Sequence, residues 1–266
     1  MKRLSIYLIL ALAALFTLFE VGGLLMVVWA GFSAPAMVDM AALPAPAWGG
    51  IAAGAMLAFF AFIGFEDIVN MAEEVRNPHR TMARAIIGAL AITALLYALV
   101  TIAALRAVAP DVLAASPRPL ALVWEAATGR AATFLSAIAV VAALNGVLAQ
   151  IVMASRVLFG LGRRTAVLAV FHQAHPRLGT PVLATLLVSG AVIGAALSLP
   201  VAALAQYATL VLLVVFVIVN TALIGLKRQD NGAAVQPAFT VPALVPWLGI
   251  VTSITMISAN FLDVAQ

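Results

Sequence analysis

Seven stretches of about twenty or more apolar residues, separated by short polar connectors, leave this chain few ways to fold. They run at about 4–31, 49–75, 83–107, 131–158, 180–199, 203–226 and 243–262. A bilayer core about 30 Å thick needs roughly 20 apolar residues per crossing helix. The connectors carry the helix breakers: Pro35, Pro44, Pro46, Pro78, Pro110, Pro117, Pro119, Pro176, Pro181, Pro200, Pro237 and Pro242. Hydrophobic residues make up 65% of the 266 and charged residues 9%. A soluble domain is about 45–50% apolar and about 25% charged. The mean hydropathy of +1.17 therefore demands a solvent other than water. The expected fold class is all-α: a polytopic transmembrane helix bundle forming a single transmembrane domain over 1–266.

Two simpler readings fail. Lys2 and Arg3 before an apolar run resemble a secretory leader, but the run continues past Glu20 to Phe32. That is far beyond a leader's apolar core of about 7–15 residues. The sequence pI of about 10.1 does not imply nucleic acid, because the basic residues sit singly between apolar runs. They fit a topological role instead. Lys2, Arg3, Arg76, Arg80, Arg84, Arg156, Arg163, Arg164, Arg177, Lys227 and Arg228 alternate onto one side. Only Arg106, Arg118 and Arg130 fall on the other. The bias of eleven to three puts the N-terminus in the cytoplasm. The expected location is the cell (inner) membrane, multi-pass.

The second apolar run holds most of the functional information. At about 1.5 Å per residue, its 27 positions would extend about 40 Å, more than the hydrocarbon core. Its apolar half ends at Phe65, Glu66 and Asp67 follow, and Gly64 sits at the join. One reading is a tilted helix emerging into the cytoplasm. The favoured reading is a discontinuous span, unwound near Ile63-Gly64-Phe65. Glycine leaves helical geometry cheaply. Unwound backbone at membrane depth survives only where it lines a cavity, and freed carbonyls and half-helix ends suit a zwitterion.

The segment FFAFIGFEDIVNMAEEVRNPHRTMARAI, Phe59 to Ile86, resembles the sixth transmembrane helix and following loop of the amino acid–polyamine–organocation permeases. The likeness extends through Pro119–Arg163, similar to the seventh loop and eighth helix. It includes Ala174–Leu187, similar to the start of the ninth, and Thr17–Gly31, similar to the end of the fifth. The resemblance implies a partial LeuT-like inverted-repeat fold in which the seven runs correspond to helices five to eleven. Helices one to four then lie outside this sequence. It implies a secondary active amino acid transporter driven by protons or sodium, with substrate bound at the break. Position by position it nominates Phe60 as an aromatic lid. It makes the carbonyls near Ile63 acceptors for the amino group, with Gly64 and Phe65 at the break. Glu66 becomes a proton-sensitive gate or a residue that positions the break.

Further polar residues inside the runs are candidates. Glu20 and Ser155 are candidates for ion or proton coupling; Ser155 would sit near a sodium-like site. Asn145 is a pocket candidate, although Asn145 and Gln150 also read as interhelical glue. Gly146, Gly160, Gly190 and Gly194 are expected to permit close helix approach. Glu73 and Glu74, ahead of Arg76 and Arg80, read as a solvated or ion-paired cytoplasmic face, or else as a gate latch. His79, His172 and His175 do not make a metal site, there are 0 cysteines, and no cofactor is expected. No His-Glu-x-x-His or Gly-x-Ser-x-Gly occurs, so enzyme activity is not expected; without a nucleotide-binding glycine loop, an ATP-driven transporter would need another subunit. A channel and a non-transporting or regulatory fragment stand as alternatives. The expected partners are an amino acid, a coupling proton or sodium ion, and the lipid bilayer; a homo-oligomer is compatible with the sequence, and nucleic acid is not.

Overall fold

The computed structural model describes residues 2–38, 45, 48–70, 75, 77–175, 179–229 and 240–264. It is an all-α polytopic membrane bundle, as the apolar runs require. The helices are α1 (Lys2–Ser33), α2 (Trp48–Phe62), α3 (Asp67–Asn70), α4 (Pro78–Ala107), α5 (Pro110–Ala115) and α6 (Pro119–Thr128). They continue as α7 (Thr133–Arg164), α8 (Val182–Ser198), α9 (Val201–Gln229) and α10 (Leu244–Val264). A 3-10 turn at Ala166–Phe171 follows α7. Among the described residues, the apolar segments Ala14–Ser33, Trp48–Val69, Arg80–Ala107, Thr133–Arg164 and Val201–Arg228 are long enough to cross a bilayer. Val182–Ser198 and Leu244–Ala259 are apolar but shorter.

The side chains explain why the fold belongs in lipid. Leu18, Leu95, Val140, Leu186 and Val211 are each more than 60% exposed, and many other large apolar residues accompany them. A soluble monomer rarely shows contiguous apolar patches beyond a few hundred Å².

Two compact units make up the chain. The first comprises 1–44 and 91–188. Its core joins Val27 and Ala30 of α1 to Ala107 of α4, Ala121, Val123 and Trp124 of α6, and Leu135 of α7. Trp124 meets Phe134 edge-on at 5.0 Å. Gly31 lets α1 and α4 touch, because a Cβ there would stand 2.6 Å from the Ala103 carbonyl oxygen. Another glycine approach is local: at Gly162 a Cβ would stand 2.6 Å from the Leu168 carbonyl. The 3-10 turn thereby folds back onto α7, and the His172 ring stacks at 4.4 Å on Phe159.

The connector at 108–130, expected as a plain loop, holds α5 and α6. Two of its prolines, Pro110 and Pro119, start helices rather than stop them, because a first-turn residue has no helical bond to lose. Gly129, at φ 67°, ends α6. The apolar face of α6 is then buried on α1 and α7. The close approaches expected at Gly146, Gly160, Gly190 and Gly194 do not occur among the described residues: nothing lies within 4 Å of the place a Cβ would take.

The second unit comprises 45–90 and 189–266. Here α9 packs on α10 and on α2. Ala205, Thr209 and Leu213, four apart on α9, are buried, the spacing that puts side chains on one helical face. On α10, Gly249 receives the Asn220 side chain of α9 so closely that a Cβ would meet it at 2.8 Å. Asn77, at φ 53°, stands just ahead of α4, and its carbonyl accepts from the amides of Arg80 and Thr81 at 3.1 Å. Asparagine tolerates that left-handed backbone better than other non-glycine residues. Asn77→Val is expected to lower the thermal midpoint of the purified protein by several degrees, whereas Asn77→Gly should leave it within about a degree.

Candidate functional site

The second apolar run is not one helix. α2 stops at Phe62, residues 63–66 form turns, and α3 resumes at Asp67. The expected continuation through 71–74, including Glu73 and Glu74, lies outside the described residues, as do Arg76 and Arg177.

Hydrogen bonding shows how the backbone leaves the helix. In an α-helix the Gly64 amide would bond to the Phe60 carbonyl. That carbonyl accepts instead from the Ile63 amide at 3.1 Å. Gly64 adopts φ 117°, a conformation that side-chain-bearing residues rarely take. Its amide donates to Oε2 of Glu66 at 2.8 Å. The chain recovers through three-residue bonds from Asp67 to Gly64 (3.2 Å), Ile68 to Phe65 (3.3 Å) and Val69 to Glu66 (3.0 Å). Glu66 therefore caps the break: its carboxylate satisfies an amide that the broken helix exposes. An unmet buried amide costs about 1–3 kcal/mol, so the acid and the glycine stabilise one backbone shape together.

Aromatic rings surround this turn. Phe59 meets Phe216 of α9 edge-on, centroids 5.7 Å apart at 72°. Phe65 meets the same ring at 5.9 Å and 53°. Phe60 is 39% exposed and lines a cavity of about 220 Å³ with Met56, Leu57, Gln206 and Thr209.

The structure thus gathers Phe60, Ile63, Gly64, Phe65 and Glu66 in the second unit. Glu20, Asn145 and Ser155 belong to the first. Asn145 is half-buried on α7. Ser155 is buried, and its hydroxyl donates to the Ile151 carbonyl at 2.6 Å. Glu20 lines a cavity of about 540 Å³ with Gly23, Arg118, Ser136 and Ile138. Its Oε1 has no hydrogen-bond partner among the described residues. No group of three His, Asp or Glu side chains gathers among those residues to hold a metal ion. Gln206, Thr209 and Phe216 were not singled out from the sequence. Polar residues inside an apolar run could have pointed to the first two, but nothing local marks Phe216.

An all-α bundle with a span interrupted between Phe62 and Asp67 defines an integral membrane protein of many passes. The chain belongs to the amino acid permease family, within the amino acid–polyamine–organocation superfamily, and the family's pattern matches residues 2–266. It is 32% identical over 225 residues to an uncharacterized transporter of Mycobacterium tuberculosis, covering 83% of this chain and 49% of the relative. It is 29% identical over 216 residues to a branched-chain amino acid permease of Bacillus subtilis, covering 79% and 45%. It is 31% identical over 189 residues to the human cationic amino acid transporter 4, covering 71% and 30%. The chain spans about half the length, or less, of these relatives. The family and its relatives are transporters rather than enzymes.

Proposed function

We propose that this chain forms the substrate-binding break of a secondary active amino acid transporter. The capped interruption at Phe62–Asp67 carries the reading: an unwound turn with half-helix ends at membrane depth suits the ammonium and carboxylate of an amino acid. Relatives named for branched-chain and cationic amino acids support the substrate class. In this reading Phe60 covers the substrate, the backbone around Ile63, Gly64 and Phe65 receives it, and Glu66 holds the break in shape. Glu20, Ser155 and Glu66 are the candidates for coupling to a proton or sodium gradient. The seven apolar runs cross the cell membrane as one transmembrane domain, with the N-terminus in the cytoplasm.

Reconstitution of the native transporter into proteoliposomes tests this directly. Labelled leucine or arginine is expected to accumulate when an inward proton or sodium gradient is imposed. No gradient-dependent uptake of any amino acid would overturn the reading. Glu66 separates two roles by substitution. Glu66→Gln keeps an oxygen for the Gly64 amide, whereas Glu66→Ala removes it; alanine should therefore lower uptake at least tenfold more than glutamine. Equal losses would assign Glu66 a purely electrostatic role.

These 266 residues hold 0 cysteines, so in a background free of other reactive thiols single introduced cysteines report orientation. Ser116→Cys should react with an impermeant maleimide added to intact cells, and Thr165→Cys only after permeabilisation. The opposite pattern would reverse the topology.

A further inference from the structure

We propose that Phe216 is the positioning residue of the interrupted span: a single ring on α9 holds the half-helices on both sides of the break. Phe59 lies on α2 before the interruption and Phe65 lies just after Gly64, yet both rings rest on Phe216, at 5.7 and 5.9 Å. Both separations fall in the range of about 4.5–7 Å where aromatic pairs attract. A continuous helix could not make this arrangement. Residues six apart would stand about 120° around the axis and about 9 Å along it, so one ring could not serve both. The broken backbone creates the double contact, and the double contact in turn favours the broken backbone.

Phe216 is itself held from behind. The Asn220 amide nitrogen donates to the Phe216 carbonyl at 2.8 Å, and the Asn220 side chain lies against Gly249 of α10. The turn of α9 that presents the ring is therefore fixed by a second helix. Gly64 and Glu66 allow and cap the unwound backbone; Phe216 selects the angle at which the two halves leave it. A binding turn set in advance wastes less binding free energy on ordering. Loosening it should weaken apparent affinity, because only the competent fraction of molecules binds.

The test compares Phe216→Ala, Phe216→Leu and Phe216→Tyr in the native transporter, by amide hydrogen exchange and by uptake. Alanine is expected to raise exchange across residues 59–69 tenfold or more while α10 and α7 stay at wild-type rates. Leucine keeps apolar bulk but no ring and should behave like alanine; tyrosine should match the wild type. If alanine does not reach the membrane, the leucine and tyrosine pair decides. Unchanged exchange at 59–69, or equal loss of protection along α9 and α10, would overturn the proposal. The uptake arm rests on the transport reading above. There, alanine and leucine should raise KM about tenfold with Vmax within twofold, and tyrosine should restore it. A fall in Vmax at constant KM would also overturn it. Absence of uptake in the wild type sinks the transport reading and leaves the exchange result to judge Phe216.

Discussion

Leucine in place of Gly64 is expected to cut amino acid uptake roughly 10- to 100-fold, with the protein still inserted in the membrane at wild-type levels. The physical cause is the backbone. At φ 117° a Cβ-bearing residue is strained by about 1–3 kcal/mol. The segment can relieve that strain by closing toward regular helix, in which case the Gly64 amide would return to the Phe60 carbonyl. Glu66 would then lose the partner it now holds at 2.8 Å. Insertion depends on the apolar runs, which the substitution leaves intact, so the two readouts should separate. Uptake of labelled amino acid, normalised to the surface-labelled protein, decides the matter. Wild-type uptake by the leucine variant would remove the break from the transport cycle. Gly64→Ala, with the same backbone conflict and less bulk, should fall between.

The second large effect concerns stability rather than transport. Gly31→Leu should unfold the contact between α1 and α4. Already the first added carbon would stand 2.6 Å from the Ala103 carbonyl oxygen and 2.8 Å from its Cβ, and backbone cannot step aside as a flexible side chain can. Overpacking typically costs about 1–3 kcal/mol and sometimes more. In a bilayer, where small residues set how closely helices approach, the crossing at Gly31 and Ala103 must open. A drop of about 10 °C or more in the thermal midpoint of detergent-solubilised protein is expected, with loss of monodisperse material. Gly88→Leu is the matched control on α4, since nothing lies within 4 Å of that position among the described residues. Equal losses for both variants would show that α1 and α4 do not depend on the Gly31 approach.

Much of the fold could be read locally. The helix containing 131–158 was expected from its apolar run; it extends to Arg164, because two arginines in its last turn suit the negative end of the helix dipole. The helix expected from 83 starts at Pro78, where an Asn-Pro pair marks an α-helix start. The break at 63–66 was legible from a glycine and an acid meeting inside an overlong run. What escaped were α5 and α6, because prolines mark helix starts and helix stops alike. The glycine approaches escaped too: Gly146 and Gly31 look the same in sequence, and only the neighbour, Ala103 for one and none within 4 Å among the described residues for the other, tells them apart.

By itself the sequence determined that the chain lives in lipid and that it is helical, and it favoured a second run that comes apart at Gly64. Those outcomes depend on hydrophobicity, backbone freedom and hydrogen-bond satisfaction, which are properties of single segments. Tertiary structure alone decided that Phe60 faces Gln206 and Thr209 across a small cavity, and that Phe216 receives rings from both sides of the break. Those outcomes depend on how each helix is rotated about its axis against its neighbour, and in uniformly apolar helices no amphipathic stripe exists to set that rotation in advance.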